Sequence, residues 1–303
     1  MRFEAIRAVY EKGLKDPNLF FITGDYGHMK TEEFRRDFDG RYFNGGMSEQ
    51  NIIGMAAGLA LSGKQAVVYS IVPFITLRCF EQIKVDVCDH NANVIVIGGG
   101  EGFAYGSAGV THFSIEEVGA FRGLPNMKIV CPADPAETNS LMNQVLAVGG
   151  PAYVRIGRGK EASLPPHEVV FGKAAVMRPG TDVTIVAYGT IVAEALKAAE
   201  ILEKQGVSAE VLNMHTLKPF DAQAILERAG MRKGIFTLEE HNIYGALGSA
   251  VAETLMESPV RPAVFKRFGV PDVWPEVVGT QDYLRKQFGL SGEQVAAEIK
   301  KVI

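Results

Sequence analysis

The run Asn93-Val94-Ile95-Val96-Ile97-Gly98 shows no alternation of polar and apolar residues. A strand of that kind is buried on both faces, as in a parallel sheet covered by helices. It is one of a series. Strands are predicted at Asn18–Thr23, Gln65–Ser70, Asn93–Gly98, Lys128–Cys131 and Ala152–Ile156. Helical patterns lie between them at Ser48–Leu61, about Ile75–His90, Ile115–Phe121 and Pro135–Leu146. That βαβαβ order points to an α/β layer fold. Asp134 can cap the helix that opens Pro135-Ala136-Glu137, with proline in the first position and glutamate in the third.

The polar stretch Gly159–Lys173 carries two prolines and no periodicity, and reads as a linker. Beyond it the alternation restarts. Strands are expected at Val183–Tyr188, Ala209–Met214, Gly234–Glu239 and Ala263–Phe268, and helices at Ile191–Gln205, Asp221–Ala229, Gly248–Met256 and Gly292–Val302. The expectation is two tandem α/β domains, over 1–165 and 173–303, which suits a chain of 303 residues.

Composition narrows the function. A net charge of −4 argues against a general nucleic-acid or anionic-membrane binder. The three cysteines (Cys79, Cys88, Cys131) form no C-x-x-C pair, so neither a zinc site nor a disulfide scaffold is expected. A reduced, cytoplasmic setting follows. The opening Met1–Asp16 is amphipathic and charged rather than a signal peptide, and no apolar run approaches the roughly 18 residues of a membrane helix.

Two glycine motifs fail on inspection. A G-x-G-x-x-G fingerprint begun at Gly98 meets Phe103 in its last position, and one begun at Gly100 meets Tyr105. Gly58…Gly63-Lys64 imitates a phosphate loop, but Gln65 stands where Ser or Thr is required. No G-x-S-x-G, H-E-x-x-H or metal-spaced His/Cys cluster occurs in the sequence. The six histidines give no nucleophile–base pair from spacing alone.

Several longer segments carry more. Phe43–Gly63 (FNGGMSEQNIIGMAAGLALSG), Tyr69–Ile83 (YSIVPFITLRCFEQI) and Gly109–Glu137 resemble, in order, the pyrimidine-binding domain of thiamine-diphosphate enzymes of the transketolase type. Thr181–Thr190, His215–Asp221 and Thr237–Glu253 are similar to the transketolase C-terminal domain. The resemblance covers nearly the whole chain. It lacks one part: the Gly-Asp-Gly…Asn run that holds magnesium and the diphosphate in this family. Gly24-Asp25-Tyr26-Gly27 is the nearest stretch and lacks the pattern that should follow. The resemblance therefore implies one half of a split transketolase, with magnesium and the diphosphate held by a separate subunit, and an α2β2 assembly.

What the resemblance implies falls on particular residues. Glu49 would hydrogen-bond a ring nitrogen of the aminopyrimidine, and the cofactor would act as an electron sink for a two-carbon ketol unit. Burial would raise the pKa of that carboxyl and the helix dipole would lower it; the sequence leaves the balance open. A lone glutamate at a helix start more commonly just decorates the N-terminus. The small residues Gly54, Ala56, Ala57, Gly58 and Ala60 read as positions of close packing inside the fold. Phe74 or, in another register, Ile75 would contact the pyrimidine, an aromatic ring adding stacking to burial. His112 matches the histidine that faces the reacting carbon and can shuttle a proton near neutral pH. Arg158 matches an arginine that grips a sugar phosphate. Tyr69, Arg78 and His28 are further candidates for substrate contact, while His241 suits a structural loop.

Two departures bear on the substrate. Ala108 stands where sugar-phosphate transketolases carry an acid, and Gly100 where they carry a second histidine. Xylulose 5-phosphate is therefore not expected as the sole donor, and an unusual ketose or a 2-oxo acid is open. The alternatives are a 2-oxo acid or acetoin dehydrogenase β subunit, which shares the same division of domains, and a non-catalytic interaction module of the same fold.

Overall fold

The computed structural model describes residues 1–25, 31–159 and 161–303. The first half opens with α1 (Arg2–Lys15) and β1 (Leu19–Thr23), followed by α2 (Glu32–Asp37), β2 (Tyr42–Asn44), α3 (Glu49–Leu61) and β3 (Gln65–Ile71). The sequence predicts one helix over the next stretch; the structure breaks it. Short turns α4 (Val72–Ile75) and α5 (Phe80–Gln82) flank a 3-10 turn at Leu77–Cys79, and a π-helical stretch Ile83–Asp89 follows. The break is at Thr76, whose backbone sits at φ −108° and ψ −90° while its hydroxyl donates to the Val72 carbonyl at 2.6 Å. Such back-bonding disrupts a helix. Here it turns the chain so that Phe74 and Arg78 leave the core while Ile75 and Cys79 stay in it.

β4 (Val94–Gly99), α6 (Glu117–Arg122), β5 (Lys128–Val130), α7 (Pro135–Val148) and β6 (Ala152–Ile156) complete this half. As expected, Asp134 caps α7 by accepting from the Glu137 N–H at 2.7 Å. The second half contains β7 (Ala175–Arg178), β8 (Val183–Ala187), α8 (Val192–Glu203), β9 (Ala209–Asn213), β10 (Thr216–Lys218), α9 (Ala222–Ala229), β11 (Gly234–Asn242), α10 (Leu247–Met256), β12 (Val264–Val270), α11 (Gln281–Gln287) and α12 (Gly292–Val302). Among the described residues no helix is long and apolar enough to cross a membrane.

The fold is α/β in both halves, with parallel-dominated sheets. The first sheet has seven strands in the order β10-β5-β6-β4-β3-β1-β2, the second five in the order β12-β11-β8-β9-β7. β10 comes from the second half yet pairs antiparallel with β5, so it completes the first sheet. β7 pairs antiparallel with β9 at the other sheet's edge. Alternate residues of the central strands enter different cores. Ala66 and Val68 of β3 join Val94 and Val96 on the α3 side, and Val67 joins Ile95 and Ile97 on the α1 side. The α3-side core continues without a break into Leu212, Leu217, Ile225 and Leu247 of the second half.

Between the halves lies a buried ionic seam. Arg155, wholly buried, donates from Nε to Glu117 at 2.6 Å and from Nη1 to Glu101 at 3.4 Å. Its Nη2 donates to the carbonyls of Ser114 and Glu240, each at 3.2 Å. Glu240, from the second half, accepts from Arg285, from Gln281 at 2.9 Å, and from the Phe103 N–H. The stretch read as a linker is irregular, but it is pinned across the first half. The Leu164 N–H donates to Asp134 at 2.8 Å and the Phe171 N–H to Gln144 at 2.8 Å.

Candidate active site

Parallel strands deliver their C-terminal ends to one rim of the sheet, and ligands of open α/β sheets bind there. At that rim the chain leaving β1 is woven against the chain entering α3. The Gly24 N–H donates to the Tyr69 carbonyl at 3.1 Å, the Asp25 N–H to the Gly46 carbonyl at 3.0 Å, and the Gly45 N–H to the Thr23 carbonyl at 2.8 Å. Side chains have no room in this weave. A Cβ on Gly45 would lie 2.4 Å from Ile52 Cγ1, and one on Gly24 would lie 3.1 Å from Ser70 Oγ and 3.6 Å from Glu49 Oε1. The glycines therefore let Ile52 and Ser70 close up against the backbone beside the Glu49 carboxyl.

Glu49 is the first residue of α3 and only 5% exposed. It does not decorate the helix terminus. Its Oε2 accepts from Arg78 Nη1 at 2.9 Å, and Ser70 Oγ donates to its Oε1 at 3.4 Å. Ser48, in the N-cap position, turns its hydroxyl back to the Gly45 carbonyl at 2.6 Å. The carboxyl thus faces β3 and the run that follows it. Its charge is felt nearby: burial, and then Glu49, push the Cys79 thiol up to about 12.

Phe74 and His112 stand on the same side. The Arg78 guanidinium carbon sits 4.3 Å from the Phe74 ring centre. The His112 imidazole meets Phe74 edge-on, with centroids 5.2 Å apart and planes at 70°. His112 Nδ1 shares a hydrogen bond with the Thr111 hydroxyl at 2.8 Å, which leaves Nε2 as the nitrogen available to a substrate. Of the two residues proposed to contact the pyrimidine, Phe74 belongs to this group, while Ile75 is wholly buried in the α3-side core.

Glu49, Arg78, Phe74 and His112 therefore form one connected set. Tyr69 does not join it. Successive residues of a strand face opposite ways; Ser70 faces Glu49, and Tyr69 is buried in the other core beside Val67 and Ile97. Arg158 is exposed and lies 4.6 Å over the Tyr105 ring. That ring occupies the space next to Gly100, where a Cβ would be 2.1 Å from Tyr105 Cε2. Ala108 is exposed at the end of a short 3-10 turn, Gly106–Ala108. His28 lies outside the described residues. His241 is fully buried, its Nε2 accepting from the Gly119 N–H at 3.2 Å, and burial pushes it down to about 4.

Two features escaped the sequence reading. Ser70 and Gly24 owe their roles to placement beside Glu49, and nothing in their identity announces it. The second is the outer face of α3. Ala56 and Ala57 are buried as close packing requires, but Gly54 and Gly58 point outward, and a Cβ on either would meet nothing within 4 Å. Met47 (84% exposed), Met55 and Leu61 flank them. Close packing inside the fold therefore does not account for the two glycines.

A buried carboxyl and a half-buried aromatic face side by side are the two groups a flat aminopyrimidine requires, one for its ring nitrogen and one for its plane.

Comparison with known proteins gives the family. A family description, transketolase pyrimidine binding domain, matches residues 4–162, and another, transketolase C-terminal domain, matches residues 172–295. The chain is 37% identical over 305 residues to a 6-deoxy-6-sulfo-D-fructose transketolase subunit from Clostridium sp. (strain MSTE9), covering all of this chain (100%) and 94% of that protein. It is 36% identical over 271 residues to an apulose-4-phosphate transketolase subunit from Actinobacillus succinogenes, covering 88% and 86%. A solved split gene transketolase, described as an inactive beta4 tetramer, superimposes with a TM-score of 0.89 at 34% identity, covering 99% and 97%. These relatives are transketolase subunits, which favours that reading over a 2-oxo acid dehydrogenase β subunit.

Proposed function

The chain belongs to the transketolase family, and from that premise we propose that it is the pyrimidine-binding and C-terminal subunit, over 1–165 and 173–303, of a split transketolase. With a partner that carries the diphosphate-binding domain and its magnesium, it moves a two-carbon ketol unit from a ketose donor to an aldose acceptor. The observation that carries this reading is the convergence of Glu49, Phe74 and His112, linked through Arg78, at one rim of the sheet.

Bound thiamine diphosphate supplies the nucleophilic carbon and the electron sink. The chain's own residues do the rest. Glu49 holds a proton between its carboxyl and a ring nitrogen, and its burial keeps water from competing for that bond. Phe74 fixes the plane of the ring by stacking, a contribution of about 0.5–1.5 kcal/mol beyond burial. His112 moves a proton at the substrate hydroxyl or carbonyl through Nε2. Arg158 binds the charged end of the sugar, its fork suiting a phosphate or a sulfonate. Both relatives are named for sugars that end in such an anion. The Tyr105 ring beside Gly100, together with the small Ala108, supports a donor range not confined to xylulose 5-phosphate.

The outer face of α3 supports the need for a partner. Glycine inside a helix costs roughly 0.5–1 kcal/mol against alanine, and Gly54 and Gly58 gain nothing for it within this chain. An α2β2 assembly is the arrangement we propose. The three cysteines are buried and unpaired, which suits the cytoplasm.

The test is reconstitution. The chain alone should be inactive, and mixing it with a subunit that carries the diphosphate domain should produce ketol transfer to an aldose. Glu49→Ala should lower turnover by about 10²–10⁴-fold, the usual span for a lost acid–base group. Full activity of the isolated chain, or an active Glu49→Ala complex, would refute the reading.

A further inference from the structure

The Arg78 guanidinium makes, at one time, the two contacts that an aminopyrimidine would need. It hydrogen-bonds the buried Glu49 carboxyl at 2.9 Å and lies over the Phe74 ring, 4.3 Å from its centre. A guanidinium is planar, about as thick as an aromatic ring, and stacks on aromatic faces. The pair is not an ordinary surface salt bridge. Arg78 is 46% exposed, whereas Glu49 is 5% exposed and, among the described residues, otherwise has only the long Ser70 contact.

We propose that Arg78 is an internal plug. In the free subunit its side chain takes the place of the aminopyrimidine on Glu49 and Phe74, and it must swing out before that ring can enter. Half-exposed and held by one hydrogen bond and one stacking contact, the side chain has solvent to move into. Once displaced, it stands at the rim beside His112, where a substrate oxygen would arrive. The plug keeps Glu49 paired, and so avoids an uncompensated buried charge, until the subunit is assembled and loaded. The proposal rests on the cofactor reading of Glu49, and its test separates the two.

The experiment is calorimetric titration of the full chain, without partner, with the neutral aminopyrimidine half of the cofactor as its hydroxymethyl derivative. A neutral probe carries no phosphate, so any salt dependence belongs to the protein. Arg78→Met should bind this probe on the order of tenfold more tightly than the natural chain at low salt, the size expected from removing an ion pair and a cation–π contact that compete with it. The gap should narrow at high salt, where the pair is screened. Arg78→Lys, which keeps the charge and loses the flat stack, should fall between them. Thermal unfolding of each variant checks that it is folded.

Equal or weaker binding by Arg78→Met, while Glu49→Ala abolishes binding, would overturn the plug and leave the cofactor site standing. Binding unaffected by Glu49→Ala would remove the cofactor reading and the plug together. Absence of binding by every form, Arg78→Met included, would show that Arg78 is not what closes the site.

Discussion

Replacing Arg155 with methionine tests the seam between the two halves. The guanidinium is wholly buried and spends its hydrogens on Glu117 at 2.6 Å, Glu101 at 3.4 Å, and the Ser114 and Glu240 carbonyls at 3.2 Å. Methionine fills much of the volume but supplies no donor. Removing one partner of a buried ion pair costs about 3–5 kcal/mol, and each stranded carbonyl adds on the order of 1 kcal/mol. Part of that loss can be escaped by protonation. Burial already pushes Glu101 up to about 7. Burial works the same way on Glu117, but Arg155, the largest opposing influence, helps hold it below the usual carboxylate value. Without Arg155 both carboxyls should titrate higher in the folded chain, so the variant binds protons on folding. The destabilisation should therefore reach about 3–5 kcal/mol near pH 8 and shrink toward pH 6. Urea unfolding followed by circular dichroism at the two pH values measures this. Adding Glu117→Gln to Arg155→Met should recover part of the loss. A loss below about 1 kcal/mol, or one independent of pH, would show that the seam is solvated and the reasoning wrong.

Two further outcomes follow. Because the folded-state pKa of Glu101 is raised to about 7 from an ordinary value of 4.5, its contribution to stability is intact below about pH 4.5 and lost as pH rises through 7. Glu101→Gln should gain on the natural chain across that window, and parallel stability–pH curves would refute the assignment; His241, pushed down to about 4, acts in the opposite sense in both proteins. On α3, Gly54→Leu should leave the isolated chain as stable as before or more so, since the position is open and leucine favours helix by roughly 0.5–1 kcal/mol. The same variant should fail to assemble with its partner in sedimentation velocity, and normal assembly would remove this face from the interface.

The α/β architecture was legible because apolar strands such as Val94–Gly99 buried on both faces leave little else possible. Short elements were not. β2, β7 and β10 span three or four residues each, too few for a period to emerge, and they form through pairing with strands distant in sequence. The run from about Ile75 to His90 reads as one helix because its apolar spacing is helical, and the break comes at Thr76, whose hydroxyl joins its own N–H on the Val72 carbonyl while its backbone leaves helical torsions. At the site, family likeness pointed to Glu49, Phe74 and His112, and it equally suggested Tyr69, which strand alternation sends to the opposite core. Arg78 was visible as a candidate. Its hold on Glu49 was not, since that contact joins residues 29 apart in the chain.

The buried seam explains why these two domains travel on one chain. Glu240 of the second half accepts from the Phe103 N–H and from Arg285 and Gln281, and Phe288 stacks on Phe103 with centroids 5.6 Å apart. Phe103 in turn packs edge-on against Phe113, the residue next to His112. The second half therefore braces the loop that presents His112 to the site. β10 meanwhile closes the edge of the sheet whose opposite flank carries Glu49. Cutting the chain between the halves would strip an edge strand and uncover the buried hydrogen bonds that cross it, from Arg155 to the Glu240 carbonyl, from the Phe103 N–H to the Glu240 carboxyl and from the Thr190 N–H to Glu101, at a cost of several kcal/mol. The face that includes Gly54 and Gly58 is the reverse case: helical, open and free of buried charge. A surface of that kind can be solvated in the separate subunit and covered on assembly without stranding an ion. A division between genes is tolerable along the α3 face and costly along the Arg155 seam.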